Sequence, residues 1–321
     1  MFSVVNKVRQ YYLKTFNDYS SKPLLGSADL QQLRELADTA PLSLLDSQRE
    51  QVQPLHGERL SVYYGQGLEF EENRLYSEGD DPRFINWRLL ARTGNLYSKV
   101  FRESRRPQLF IVMDRRPRMH FATRCQLKVT QAAKVAAFMI YQSLSKQYPV
   151  SGVVVDESLH WFNSAQNESR VQPLLNAIIA PSQPVPFATK QPSLESVLQQ
   201  VQLQSKAGSI VLILSDFHDL HKACEPLLLN LTRLQEVIAV SVTDPSELQL
   251  PPAGTLSIAD ETSDEIIELK SHNKTTRTDY SSLSMSRKKQ AQTRLKQAGC
   301  ICFQLRTDQG LESIVTGFIN E

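Results

Sequence analysis

The sequence predicts an α/β fold: a mostly parallel sheet flanked by helices, with a small accessory β module. Three observations predict it. The continuous apolar runs LFIVMD, SGVVVD and SIVLILSD, ending at Asp114, Asp156 and Asp216, have the character of strands buried on both faces. Segments of helical periodicity lie between such runs, QLKVTQAAKVAAFMIYQSL foremost, and that alternation builds a parallel sheet. Acids recur just after buried runs, at Asp114, Asp216 and Asp244, and ligands collect at the carboxyl ends of strands in an open α/β sheet.

In chain order, residues 1–50 read as a helical lead-in. Apolar positions in SADLQQLRELA fall at helical spacing, with Ser27 or Asp29 as the expected N-cap. Residues 51–107 form the accessory β module. Its short alternating runs, ERLSVYYGQG and NLYSKVFRE, are punctuated by Gly65, Gly67, Gly79 and Gly94. Residues 108–245 are the core. After LFIVMD, a helix and SGVVVD, LHWFN pairs back as a hairpin, SRVQPLLNAII and SLESVLQQV are helices, and SIVLILSD is a buried strand. EPLLLNLTRL then makes a helix before the strand EVIAVSVTD. Residues 246–321 supply a β hairpin turning near Thr262 to Asp264 and the basic helix DYSSLSMSRKKQAQTRLKQ. The strand CICFQLRT and the closing helix GLESIVTGFI then rejoin the core.

Composition narrows the function classes. With 36 basic against 34 acidic residues, the net charge of +2 gives no overall field toward nucleic acid or an anionic membrane. The basic stretches RESRRP and SRKKQAQTRLKQ read as solvated faces, since no nucleic-acid module accompanies them, and nucleic acid is not an expected partner. Lys7, Arg9 and Lys14 interrupt the amino-terminal segment, and no run of about 18 apolar residues follows, so the expected location is cytoplasmic. Four scattered cysteines without a CxxC pair fit reduced thiols, and Cys300 and Cys302 share one strand face as packing residues.

Several familiar chemistries lack their residues. No GxxxxGK[ST] occurs, and GQG at 65–67 lacks the third glycine and helix that cradle a pyrophosphate, so direct nucleotide binding is not expected. HExxH and GxSxG are absent too. SDFHDLH places His218 and His221 one helical turn apart beside Asp216 and Asp219, a set that could hold a transition metal. Its plainer reading is a helix N-terminus whose acids suit the macrodipole and whose histidines face water.

The run DRRPR, beginning at Asp114, carries a resemblance. It is similar to the first loop of a von Willebrand factor A-type domain, a Rossmann-like fold whose metal-adhesion site begins DxSxS after the first buried strand. There an Asp and two hydroxyls, with a Thr and a second Asp from later loops, hold Mg²⁺ through hard oxygen ligands. In this chain Asp114 keeps the first position, and Arg116 and Arg118 replace both serines. Pro192 stands nearest the Thr position, and Asp216 matches the second Asp. Guanidinium groups do not coordinate cations; they either pair with Asp114 or Asp216 in the metal's place or point outward to an anionic partner. No Mg²⁺ is expected at ordinary concentrations.

A longer resemblance runs from Gly65 to Ser104. Gly67, Glu69 and Phe70, Arg74, Tyr76, Gly79, Asp80 and Asp81, Arg83, Ile85, Trp87, Ala91, Arg92, Lys99 and Phe101 match the signature of the bacterial family labelled domain of unknown function 58. Lys128 with Ala132 and Ala133, SDF at 215–217 and DPSELQLPPAG from Asp244 agree with it as well. Asn86 departs from the pattern, which has Asp there, and the membrane helices of many members are missing. Read as residues, GDDPRFINWR makes a structural lock through Asp80, Asp81, Arg83 and Arg92 with Trp87 buried, or alternatively a partner-binding surface. The resemblance implies a non-catalytic adaptor for a MoxR-type AAA+ ATPase, serving assembly, maturation or cofactor loading of client protein complexes. Asp114, Arg116, Arg118 and Asp216 would form its contact crest, with no cofactor and with any membrane association made through partner proteins. The alternative is a metal-dependent phosphoesterase or other hydrolase using Asp114, Asp216 and Asp244 as ligands.

Overall fold

The computed structural model describes residues 22–39, 68–77, 80–103, 107–123, 125–181, 191–259 and 266–310 of the chain. Contacts divide it into two compact units, residues 52–106 and the remainder on either side. The segments expected at 1–21, 40–50 and 311–321, the run ERLSVYYGQG and the turn at 262–264 lie outside the described residues.

The first described helix, α1 (Ser27–Thr39), belongs to the larger unit and buries Leu33 and Ala37. Ser27 is its first residue rather than its cap. Asp29 instead accepts the Gly26 N–H at 2.8 Å, reaching back across the first turn as an acid near a helix start does. The smaller unit pairs β1 (Leu68–Leu75) antiparallel with β2 (Tyr97–Glu103). Between them a 3₁₀ turn, Pro82–Phe84, leads into α2 (Trp87–Thr93), which ends at Gly94 with φ 74°. That left-handed conformation is open to glycine without a Cβ penalty. β1, sequence LEFEENRL, is a strand that the sequence reading does not find, because its charged residues mask the alternation.

The larger unit is built on a six-stranded sheet. β3 (Leu109–Asp114), β4 (Val150–Val155), β6 (Ile210–Ser215), β7 (Glu236–Thr243) and β10 (Ile301–Arg306) are parallel, and β5 (Leu159–Ala165) returns antiparallel to β4 at one edge. Their order across the sheet is β10-β7-β6-β3-β4-β5. Alternate residues serve opposite faces. Leu109, Ile111 and Met113 join the core beneath α1, α3 (Lys128–Ser145) and α4 (Glu168–Ile179). Phe110 and Val112 join the core beneath α5 (Leu194–Gln204) and α6 (Glu225–Leu234). Each fully buried aliphatic side chain contributes about 1.5–3 kcal/mol, so two covered faces explain why these strands are continuously apolar.

A capping box between Asp244, which follows β7, and Glu247 starts α7 (Pro245–Leu248). β8 (Thr255–Ala259) and β9 (Ile266–Lys270) then make the expected hairpin. The basic helix is α8 (Lys274–Gln297), which buries only Leu295. SDFHDLH is not a helix start: α6 begins at Glu225, and Phe217 takes a positive φ of 52° that interrupts any turn there. This mostly parallel, doubly wound sheet is consistent with the Rossmann-like, von Willebrand factor A-like arrangement. Its order reverses between β3 and β6, so the crevice at their carboxyl ends carries Asp114 and Asp216.

Candidate functional site

Three arginines follow β3, and the fold gives each a different task. Arg115 donates to the carbonyls of Ala177, Ile178, Ala180 and Pro181 at 2.7–3.1 Å, closing the carboxyl end of α4. A cation there also suits the helix dipole. Arg116 reaches the crevice. Its Nε and Nη2 donate to the two oxygens of Asp114 at 3.0 and 2.7 Å, and Nη1 and Nη2 donate to those of Asp219 at 2.5 and 3.0 Å. Nη1 also donates to the Pro192 carbonyl at 3.2 Å. A guanidinium has five N–H donors, and all five are engaged. Burial works against this charge, yet Asp114 and then Asp219 outweigh it and raise Arg116 above its ordinary value. Asp114, 4% exposed, also accepts from Ser215 Oγ at 2.6 Å.

Arg118 behaves differently. Its Nε lies 3.5 Å from Asp216 Oδ2 without forming a hydrogen bond, and its side chain is 36% exposed. Asp216 belongs instead to Lys128, the first residue of α3 and fully buried, whose Nζ donates to Asp216 at 2.8 Å and to Glu247 at 2.7 Å. Burial raises the Asp216 carboxyl, but Lys128 and then Arg118 reverse this and hold it well below the usual carboxylate range. Glu247 Oε2 meets Lys288 Nζ at 3.4 Å. Charges therefore alternate from Arg118 through Asp216, Lys128 and Glu247 to Lys288, a ladder from the β3 loop to α8.

These partners decide which chemistry the crest suits. The place where Asp114, Ser215, Asp219 and the Pro192 carbonyl converge offers hard oxygens, as a Mg²⁺ site would, but the Arg116 guanidinium fills it and the residues do not fit a metal ion. The three carboxylates of the hydrolase alternative do not converge. Asp114 is held by Arg116 and Asp216 by Lys128, while Asp244 accepts from Thr123, Ser246 and Thr307 at 2.6–3.0 Å. Burial pushes Asp244 up, but these donors bring it down to about 2. Among the described residues no group of three or more His, Cys, Asp or Glu is placed to hold a metal. His218 and His221 are exposed; His221 Nε2 meets Glu195 at 3.2 Å. Sequence reasoning assigns no partner to Lys128, Asp219 or Glu247 at the crest. A lysine opening a helix and an acid in a loop carry no mark of burial, and their partners lie 88–119 residues away.

The signature residues lie in the smaller unit. Arg74 Nη2 pairs with Asp80 Oδ1 at 2.5 Å, the Tyr76 hydroxyl donates to the Asp80 carbonyl at 3.2 Å, and Asp80 Oδ2 accepts the Ser77 N–H at 3.0 Å. Asp81 caps the 3₁₀ turn by accepting the Arg83 N–H. Asn86 caps α2 at Leu89 and donates its Nδ2 to Asn73 at 2.8 Å, a bond that an Asp carboxylate could not donate. Arg92 is exposed. Trp87, expected in a core, is 64% exposed: it opens a seven-residue helix that buries none of its residues. Glu69 lies in β1 with its side chain outside the description, and Gly79 is outside the described residues.

Comparison with known proteins adds a family and a fold. A family model described as "Protein of unknown function DUF58" matches residues 72–291. An uncharacterized protein of Mycobacterium tuberculosis is 24% identical over 265 residues, covering 83% of both chains. The conserved hypothetical protein BatB from Bacteroides thetaiotaomicron superposes with a TM-score of 0.41 at 12% identity, covering 66% of this chain and 97% of that one. An aerotolerance-related membrane protein from Bacteroides fragilis gives 0.40 at 12% identity, covering 67% and 100%. Likeness at this level transfers no role. The cytoplasmic location expected from the sequence is withdrawn, because no feature of the described residues assigns a compartment. Among the described residues no helix is long and apolar enough to cross a membrane, and that fact alone assigns no compartment.

Proposed function

The chain belongs to the protein family of unknown function DUF58, whose model spans residues 72–291, and from that premise we propose that it is a non-catalytic adaptor. It works with a MoxR-type AAA+ ATPase in the assembly or maturation of other protein complexes, and it docks through the crest without a bridging metal. The observation that carries this reading is the Arg116 guanidinium, with every donor engaged by Asp114, Asp219 and Pro192. A fixed cation supplies the charge that a metal would bring and keeps the crest's shape. It leaves no vacant coordination position for a water to be activated or a substrate oxygen to be polarised. Arg118, with unspent donors, is the group left for a partner.

The test is calorimetric titration of the full chain with Mg²⁺ and Mn²⁺, then with its MoxR-type ATPase in EDTA. The expected result is no metal binding at millimolar concentration and ATPase binding that survives EDTA, weakened at least tenfold by Arg118→Glu. Metal binding that the ATPase contact requires would overturn the reading, as would an Arg118→Glu protein that binds the ATPase as tightly as the parent.

A further inference from the structure

The charge ladder ends in an open surface around Arg118, whose occupant the adaptor reading leaves unspecified. Arg118 and Arg287 make no hydrogen bond among the described residues, and Arg287 is exposed on α8. Around them, the positive groups Arg118, Lys128, Arg287 and Lys288 outnumber the carboxylates Asp216 and Glu247, which Lys128, Arg118 and Lys288 already face. His218 lies in the same field: burial and then Arg118 hold it below its ordinary value, with Arg287 contributing. α8 is fixed beside the crest, since Ser284 Oγ donates to the Glu247 carbonyl and Arg294 Nη1 donates to the Leu220 carbonyl at 2.8 Å. Leu283, one helical turn before Arg287 and 64% exposed, gives the surface an apolar element.

Resting on the adaptor reading, we infer that the face bounded by Arg118, His218, Arg287 and Leu283 docks an acidic segment of a partner protein. The segment would bring carboxylates to the two arginines and an apolar side chain to Leu283. Charge complementarity selects this occupant. Guanidinium forks with unspent donors match carboxylates bidentately, and a net excess of positive charge over a surface steers anionic partners. A nucleic-acid backbone fits less well. It presents continuous phosphates, and Asp216 and Glu247 stand among the cations where those phosphates would pass.

Fluorescence anisotropy tests this with the full chain and three labelled probes: a capped peptide of repeated Asp-Leu-Glu, its Asn-Leu-Gln isostere, and a single-stranded oligonucleotide. The acidic peptide is expected to bind at least tenfold more tightly than the isostere and more tightly than the oligonucleotide. Arg287→Ala, at an exposed position, should weaken it about tenfold, and adding Arg118→Ala should weaken it further. Equal binding of peptide and isostere, preference for the oligonucleotide, or indifference to Arg287→Ala would overturn the inference. The MoxR-type ATPase is titrated in parallel. If it binds while the acidic peptide does not, this surface assignment falls and the adaptor stands. Peptide binding without ATPase binding removes that partner and leaves the surface assignment in place.

Discussion

At the scale of single residues, the crest depends on where three guanidinium groups end up. Sequence places Arg115, Arg116 and Arg118 within four positions. It leaves open which of them closes a helix, which fills the oxygen cluster and which stays open, because that depends on loops far along the chain. The consequence is sharpest at Arg116. Replacing it with Ser leaves Asp114 and Asp219 facing each other without their cation, and breaking a buried pair in this way costs about 3–5 kcal/mol. The vacated oxygens then resemble a metal site. The Arg116→Ser protein is therefore expected to melt lower than the parent and to recover part of the loss in millimolar Mg²⁺, as followed by thermal melts with and without EDTA. The parent's melt should be unchanged by either.

At the scale of elements, the strands and most helices are legible because burial on two faces writes a continuous apolar run and burial on one writes a helical period. LFIVMD and SIVLILSD are of the first kind, and SLESVLQQV is of the second, with Ser193 capping it at Ser196. Elements with neither signature mislead. β1 alternates charges with apolar residues, and the stretch before α6 has helix-like acids but a left-handed Phe217. Strand spacing also hides a constraint at Gly152 in β4. A Cβ there would lie 2.5 Å from the Ile111 carbonyl oxygen of β3, so the two strands can approach only with glycine at this point. Gly152→Ala is expected to cost about 1–3 kcal/mol by forcing the β3–β4 pair apart. Urea denaturation would show this as a lower midpoint with an unchanged slope.

At the scale of the whole molecule, the larger unit hides a titrating group in its core. His120 is 8% exposed, its Nε2–H donates to the Arg115 carbonyl at 2.7 Å, and burial, the largest influence, pulls it down to about 4. An unfolded histidine titrates near 6.5, so between about 6.5 and 4 the unfolded chain binds a proton that the folded chain refuses. Stability is therefore full above about pH 7 and falls as pH drops through that window, by about 3 kcal/mol from this residue alone. Unfolding free energies measured by urea from about pH 7.5 to 4 should follow that slope, and His120→Gln should flatten it. The depressed carboxylates Asp216, Asp219 and Asp244 act at lower pH, where their contribution is lost as they protonate below about 4. The guanidinium at the centre of the crest has a different consequence. A cation tethered to the backbone cannot be chelated, diluted or exchanged, so on the metal-free reading proposed above the crest would not report how much divalent ion surrounds it. On the adaptor reading proposed above, any timing of its engagement must then come from the partner's own cycle or supply.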